Sequence, residues 1–371
     1  MPDPRPLAPD GLQRDLAIAS IRTTIVDVPT VRRHELSSLS VTAQSYVIVE
    51  LRLANGAEGI GEAATLGGPR WSEESVESIK ATIDAYLAPA LIGSPADRFE
   101  AARIRMDAAA KRNNAAKAAI ESALFDAVGK TLGVPAVQLL GGAVRESFPV
   151  LWTLASGDAV QEIEEAEKKL AARLHDTFKV KIGARSPEAD IARLRRLAGA
   201  LAGRASLIVD ANQAWDETTA QRCLPVLAEL GVRLVEQPLP SWNLAGTARL
   251  RARSTVPLMA DECVFSAHDM LEVARAGAAD VVSLKLVKHA GCSPRAMSRR
   301  WPRLPGLGST VVACWRVRSV PRRICRSSPG CASSHGVASI SAHRSSSTIW
   351  SKSHCASGIS ASTCLPALAL A

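Results

Sequence analysis

The chain has 371 residues, 22% of them charged, and a formal net charge of +9. That length allows one large domain plus a smaller one, and no apolar run approaches the ~18 residues that a membrane-spanning helix needs. The start, 1–10, is Pro-rich and acidic and lacks a basic opening and an apolar core, so a cytoplasmic protein without a secretory leader is expected.

Residues 1–19 read as a flexible lead-in and 20–147 as an α+β domain. Ser45 to Leu53 (SYVIVELRL) reads as a strand, and Ala54-Asn55-Gly56 supplies a turn after it. Gly59-Ile60-Gly61-Glu62 begins a second strand that runs into a Gly-rich loop ending at Trp71. Helical character follows over 73–88, 96–112 and the Ala-rich stretch 115–132, which Gly133-Val134-Pro135 ends.

From 148 the rhythm becomes strand, helix, strand. Strands are predicted at 149–154, 178–182, 207–211, 234–236, 258–261 and 281–286, with helices at 160–174, 187–201 and 218–230. Such alternation implies a parallel sheet. A repeat of about 25 residues favours a (β/α) barrel over an open sheet, with 148–291 supplying six strands.

Six chemically potent residues fall on this beat. Lys179 and Lys181 lie on one strand, and Asp210, Glu236, Asp261 and Lys285 follow Lys181 at intervals of 29, 26, 25 and 24 residues. All but Lys179 end a short apolar run, and strand C-termini form the mouth of such a barrel. Lys179 and Lys181 share a strand face, where mutual repulsion and partial burial are expected to lower their pKa values. Three carboxylates from neighbouring strands suit one hard divalent cation. Asn212 and Gln237 stand close enough in sequence to orient those carboxylates. Taken singly, each carboxylate also reads as a helix N-cap, and an isolated Lys-x-Lys as an exposed strand edge.

The last 80 residues, 292–371, differ. They hold ten Arg, one Lys, 18 Ser, six of the eight Cys and no acid, so the first 291 residues carry about −2. Neither strand nor helix period persists there. A basic nucleic-acid-binding tail or a disulfide-linked appendage would fit the composition, but a frameshift fits it better. Shifted by one base, the codons of 309–323 can encode Leu-Tyr-Gly-Gly-Cys-Met-Leu-Glu-Gly-Ser-Ile-Gly-Ala-Ala-Ala. A barrel incomplete at its C-terminus, with a poorly packed tail, is therefore expected.

Together, Lys179-Val180-Lys181, the VDANQAW of 209–215, the VEQP of 235–238 and the ADE of 260–262 resemble the enolase superfamily, in its muconate-lactonizing subgroup. The cap words at 61–75 and 85–91 look like those of muconate cycloisomerases. The resemblance covers about 20–291. It implies an α+β capping domain over a (β/α)7β TIM-like barrel and Mn2+ (or Mg2+) held by Asp210, Glu236 and Asp261. It implies a small dicarboxylate substrate, cis,cis-muconate or a chlorinated analogue, closed to a lactone. Lys181 would transfer the proton, with Lys179 tuning it and Lys285 opposite. Cap loops around 30–45 and 65–75 would close over the substrate, with Trp71 in contact. The resemblance further implies a homo-oligomer, with no nucleic-acid or membrane partner. A dipeptide epimerase or related racemase of the same fold is the nearest rival, and a degenerate barrel with a nucleic-acid-binding tail the more distant one. The acid–base Glu of the family's seventh strand is absent in frame, where Cys314-Trp315-Arg316 stand.

Overall fold

The computed structural model describes residues 15–291, apart from 36, 38–39, 66–67 and 144–145, together with two strand backbones at 308–313 and 338–341. The cap begins with a three-stranded antiparallel sheet in the order β1 (Ile18–Glu35), β2 (Ser40–Leu53), β3 (Glu58–Ala63). Val47, Val49, Leu51 and Leu53 alternate inward along β2 and are buried. The loop expected around 30–45 is mostly strand. The β1–β2 register breaks between Pro29 and His34 and resumes with His34 opposite Val41 and Glu35 opposite Ser40. Pro29 looks like a loop signal, but β1 is an edge strand, where a residue lacking an N–H is tolerated.

Helix α1 (Val76–Thr82) starts from a capping box between Ser75 and Ser78 and runs on through a π turn, Ile83–Leu87. Helix α2 (Phe99–Ala109) precedes the long α3 (Asn114–Leu132), which ends at Gly133 in the left-handed region, φ 66°. Helix α3 lies against β3 at backbone distance. A Cβ built on Gly61 would stand 1.9 Å from the Ala119 carbonyl oxygen, and one on Gly59 2.1 Å from that of Ala123. Glycine on the strand and alanine on the helix are what permit this approach.

Six parallel strands follow: β4 (Trp152–Leu154), β5 (Thr177–Lys181), β6 (Ser206–Asp210), β7 (Val235–Glu236), β8 (Leu258–Ala260) and β9 (Val281–Leu284). Between them run α4 (Ala159–Ala171), α5 (Pro187–Leu201), α6 (Glu217–Glu229), α7 (Leu244–Arg253) and α8 (Ala267–Ala276). Side-chain caps from Asp158, Ser186, Asp216, Asn243 and Ser266 start all five helices. Phe178, Val180, Val209 and Val235 face the helices in one apolar core. On the opposite strand face Leu151, Ile208, Leu234 and Met259 form a second apolar cluster, the floor of the barrel. Residues two further along each strand share that inner face. They are Asp210, Glu236 and Asp261, and they cap the floor with charge.

A one-turn helix, α9 (Leu286–His289), leaves the end of β9 and docks on the cap. Asn114 Nδ2 donates to the carbonyls of Lys288 (2.5 Å) and Phe265 (3.2 Å), and Arg103 donates to that of Ala290. The anomalous tail, 292–371, lies outside the described residues except for two strands. Strand β10 (Gly308–Ala313) pairs parallel to β9, and β11 (Ala338–Ser341) pairs antiparallel to β10. The six strands expected of 148–291 are β4 to β9; beyond them the run Thr310-Val311-Val312 has strand-forming chemistry and extends the open edge of β9. Among the described residues the sheet runs from β4 to β11 without closing on itself. No helix among them is long and apolar enough to cross a membrane.

Candidate active site at the barrel mouth

The register of β5, β6 and β7 sets the site. Lys181 stands opposite Asp210, and Asp210 opposite Glu236, all at strand C-termini. Asp261 follows β8 and Lys285 follows β9. Every one of the six predicted residues therefore reaches the same mouth.

Ammonium groups and carboxylates interleave there. Lys179 Nζ donates to Glu236 Oε2 and stands 3.7 Å from Asp210 Oδ2. Lys181 Nζ donates to Asp210 Oδ2 at 2.6 Å and to Asn212 Oδ1 at 2.8 Å. Lys285 donates to Asp261 Oδ2, and Lys288, wholly buried, donates to Asp261 Oδ1 at 2.5 Å and its carbonyl at 2.7 Å. Among the described residues no three His, Cys, Asp or Glu side chains stand gathered around one point for a metal ion. The ammonium groups lie between the carboxylates and take up their oxygens, so the expected convergence is replaced by alternation of charge.

The electrostatics correct the expected lysine pKa shift. Burial opposes the Lys179 charge, but Glu236 and then Asp210 outweigh it and hold the ammonium above its ordinary range. Burial likewise opposes ionisation of Asp210 and Asp261. Lys181 and Lys179 nonetheless keep Asp210 below the usual carboxylate range, and Lys285 and Lys288 keep Asp261 well below it. Glu236 is pushed up to about 7 by burial and the Asp210 charge, and Glu262 to about 8 by burial and the Asp261 charge. The four ammonium groups thus match four carboxylates in number but leave some carboxylate oxygens unmet. Glu236 Oε1 and Glu262 Oε2 are buried without a hydrogen-bond partner. This crowded all-oxygen donor set, with an orphaned oxygen on Glu236, fits a hard divalent cation.

Asn212 and Gln237 occupy positive φ, 42° and 38°, as the chain turns sharply off β6 and β7. The Asn212 amide donates to Asp210 Oδ1 at 3.0 Å, and its Nδ2 donates to Glu262 Oε1 at 2.8 Å. Gln237 Oε1 accepts from the Asp261 amide at 2.9 Å. The Trp71 ring sits 4.6 Å from Lys285 Nζ, close enough for cation–π attraction, and 6.2 Å from the Phe265 ring. The tip of the β1–β2 hairpin also reaches the mouth: the Glu35 amide donates to the Ala155 carbonyl at 2.9 Å and Ser37 Oγ to the Asn212 carbonyl at 3.0 Å. Sequence reasoning gave no role to Lys288 or Glu262. The signals were present, Lys288 one helical turn after Lys285 and Glu262 directly after Asp261.

A barrel of parallel strands under an α+β cap, with lysines facing carboxylates across its mouth, defines the class as the enolase superfamily. Residues 20–141 match the N-terminal domain of the mandelate racemase / muconate lactonizing enzyme family, and 161–297 match the enolase C-terminal domain-like family. The chain is 47% identical over 284 residues to muconate cycloisomerase 1 of Pseudomonas putida, covering 76% of this chain and 75% of that one. It is 46% identical over 276 residues to a chloromuconate cycloisomerase of Pseudomonas sp. (strain P51), covering 74% of each. The structure resembles that of a muconate lactonizing enzyme from Pseudomonas fluorescens complexed with muconolactone, with TM-score 0.76, 46% identity and 80% of each chain covered. The chain belongs to the mandelate racemase / muconate lactonizing enzyme family, whose members use a divalent metal ion.

Proposed function

We propose that this chain cyclises cis,cis-muconate, or a chloro-substituted muconate, to the corresponding muconolactone. The observation that carries the reading is Lys181 Nζ, held between Asp210 Oδ2 and Asn212 Oδ1 at the barrel mouth of a chain 47% identical over 284 residues to a muconate cycloisomerase. One substrate carboxylate oxygen forms a C–O bond across the ring being closed. The π pair of the attacked double bond moves to the neighbouring carbon, which takes one proton. Lys181 delivers that proton as an ammonium, and the dianion becomes a lactone monoanion. Lys179 maintains the positive potential behind Lys181, and Lys285 supplies it from the far side, beneath the Trp71 ring.

Asp210, Glu236 and Asp261 would hold Mn2+ or Mg2+, which supplies Lewis acidity toward a substrate carboxylate. Asn212 orients the Asp210 carboxylate, Gln237 fixes the main chain at Asp261 rather than its carboxylate, and Trp71 contacts the substrate from the cap. We assign 20–147 to the cap and 148–291 to the in-frame barrel. We read 292–371 as translated out of frame, which the end of the barrel family match at residue 297 supports. The seventh-strand acid–base Glu is then missing, and turnover by this chain is expected to be slow. A cytoplasmic homo-oligomer is the assembly this reading implies, and sedimentation of the purified chain checks it.

The test follows the ultraviolet absorbance of muconate with Mn2+ or Mg2+ present, for this chain and for one whose frame is restored after Gly291. Metal-dependent loss of absorbance, abolished by Lys181→Ala, supports the proposal. A frame-restored chain that leaves muconate intact and epimerises a dipeptide would replace it with the racemase reading. An uninterrupted gene frame through the Gly291 codon would overturn the reading of the tail.

A further inference from the structure

Beneath the mouth lies a second charged cluster that the reaction does not touch. Glu162 on α4 and Arg193 and Asp190 on α5 are buried together, with exposures of 0%, 7% and 1%. Arg193 Nη1 donates to both Glu162 oxygens, at 2.8 and 2.7 Å, and Nη2 to Asp190 Oδ1 at 3.1 Å. Nη2 also donates to the main-chain carbonyl of Lys181, at 2.6 Å. The carboxylates hold the loops that follow β4 and β5: Glu162 Oε1 accepts from the Gly157 amide at 3.1 Å, and Asp190 Oδ2 from the Gly183 amide at 2.7 Å.

Those two loops carry the hairpin tip of the cap. A Cβ on Gly157 would meet Glu35 Oε2 at 2.7 Å. One on Gly183 would meet Ala214 Cβ at 2.3 Å and Ser37 Cβ at 3.3 Å. Both glycines have positive φ, 73° and 90°. One guanidinium thus fixes the end of β5, the two tight turns beside it and the seat of the hairpin. Buried ion groups bring less net stability than an apolar substitute would, because of their desolvation cost. What a guanidinium fork adds is direction, since its planar donors hold several acceptors at set angles.

We infer that Arg193, held by Glu162 and Asp190, is a positioning residue that sets the height of Lys181 in the mouth and seats the β1–β2 hairpin over it. The inference rests on the proposed role of Lys181 for its catalytic consequence but not for its structural one. The guanidinium stands behind the strand and touches no reacting atom. Lysine at 193 keeps the charge but loses the fork, and methionine keeps the length but loses both.

The test compares Arg193→Met and Arg193→Lys with the full chain by two readouts. The first is reductive methylation of native protein, with each lysine quantified by mass spectrometry. Methylation of Lys181 is expected to accelerate several-fold in Arg193→Met and less in Arg193→Lys, while Lys179, Lys285 and Lys288 keep their rates. The second readout is turnover of muconate by the frame-restored chain, where kcat is expected to fall about tenfold to hundredfold with KM little changed, since small displacements of a reacting group are costly. Lys181 methylation that is unchanged, or that rises in step with the other three lysines, overturns the inference. Absence of turnover in the frame-restored chain sinks the muconate assignment instead and leaves the methylation result to decide the clamp.

Discussion

In the cap, helix α3 meets strand β3 with only Gly59, Gly61 and the alanines of the helix between two backbones. At the barrel mouth, strands β5 to β9 instead bring ammonium groups against carboxylates over an apolar floor. The first contact depends on volume, since a single added methyl has nowhere to go. The second depends on charge balance, since removing one partner strands another in a medium that solvates it poorly. The cap is thus expected to ignore ions and to fail on any gain of bulk, and the mouth the reverse.

The largest effect should come from volume in the cap. Gly61→Val places a side chain on the Ala119 carbonyl and should cost at least about 3 kcal/mol or abolish folding, read by thermal denaturation. An unchanged melting temperature would show that the two backbones are not so close. Next comes charge at the mouth. Lys179→Met leaves Glu236 and Asp210 without the ammonium between them and should cost about 2–4 kcal/mol at neutral pH. Without the ammonium Glu236 takes its proton at a higher pH than the value of about 7 it has beside Lys179, so that loss should shrink as pH falls toward about 7 and level off below it, and shrink again when excess Mg2+ is added.

A smaller, pH-dependent effect belongs to His289. Burial first, then the Lys288 charge, push its pKa down to about 3, against roughly 6.5 in the unfolded chain. Between those values the unfolded chain binds a proton that the folded chain refuses. The stability is therefore complete above about 6.5 and declines as pH falls toward 3. His289→Asn should flatten the slope of melting temperature against pH between those limits, and an identical slope would deny that the imidazole is kept neutral. The smallest effect is expected at Glu74, which accepts from the Ala115 and Ala116 amides at 2.9 and 3.3 Å and stands in for a cap at the start of α3. Glu74→Gln should lower stability by about 1 kcal/mol and leave divalent-ion affinity as it was.

The same contrast explains what the sequence made legible. Helix α5 was bounded from the sequence alone as 187–201, since Ser186-Pro187 is an unambiguous start. The residues predicted to gather at the mouth, Lys179 apart, were legible because each ends a short apolar run and the runs recur at barrel spacing. Strand β1 was not. Its end, from residue 30 on, falls in the stretch around 30–45 expected as a cap loop, and only pairing with β2 across an irregular register makes it a strand. The shift expected of Lys179 was inverted because a sequence shows it beside Lys181, whereas the fold sets Glu236 and Asp210 nearer to its charge. Lys288 escaped notice because its partner, the Asp261 carboxylate, lies 27 residues back and is brought to it only by closure of the mouth.

Binding of Mn2+ to the purified chain, followed by titration calorimetry beside Glu236→Gln, tests the proposed metal centre most directly. One ion per chain is expected, with affinity falling at least about tenfold in the variant as a ligand oxygen is replaced. Equal binding by the two proteins, or no ion taken up by the unsubstituted chain, would contradict a shared cation at the ends of β6, β7 and β8.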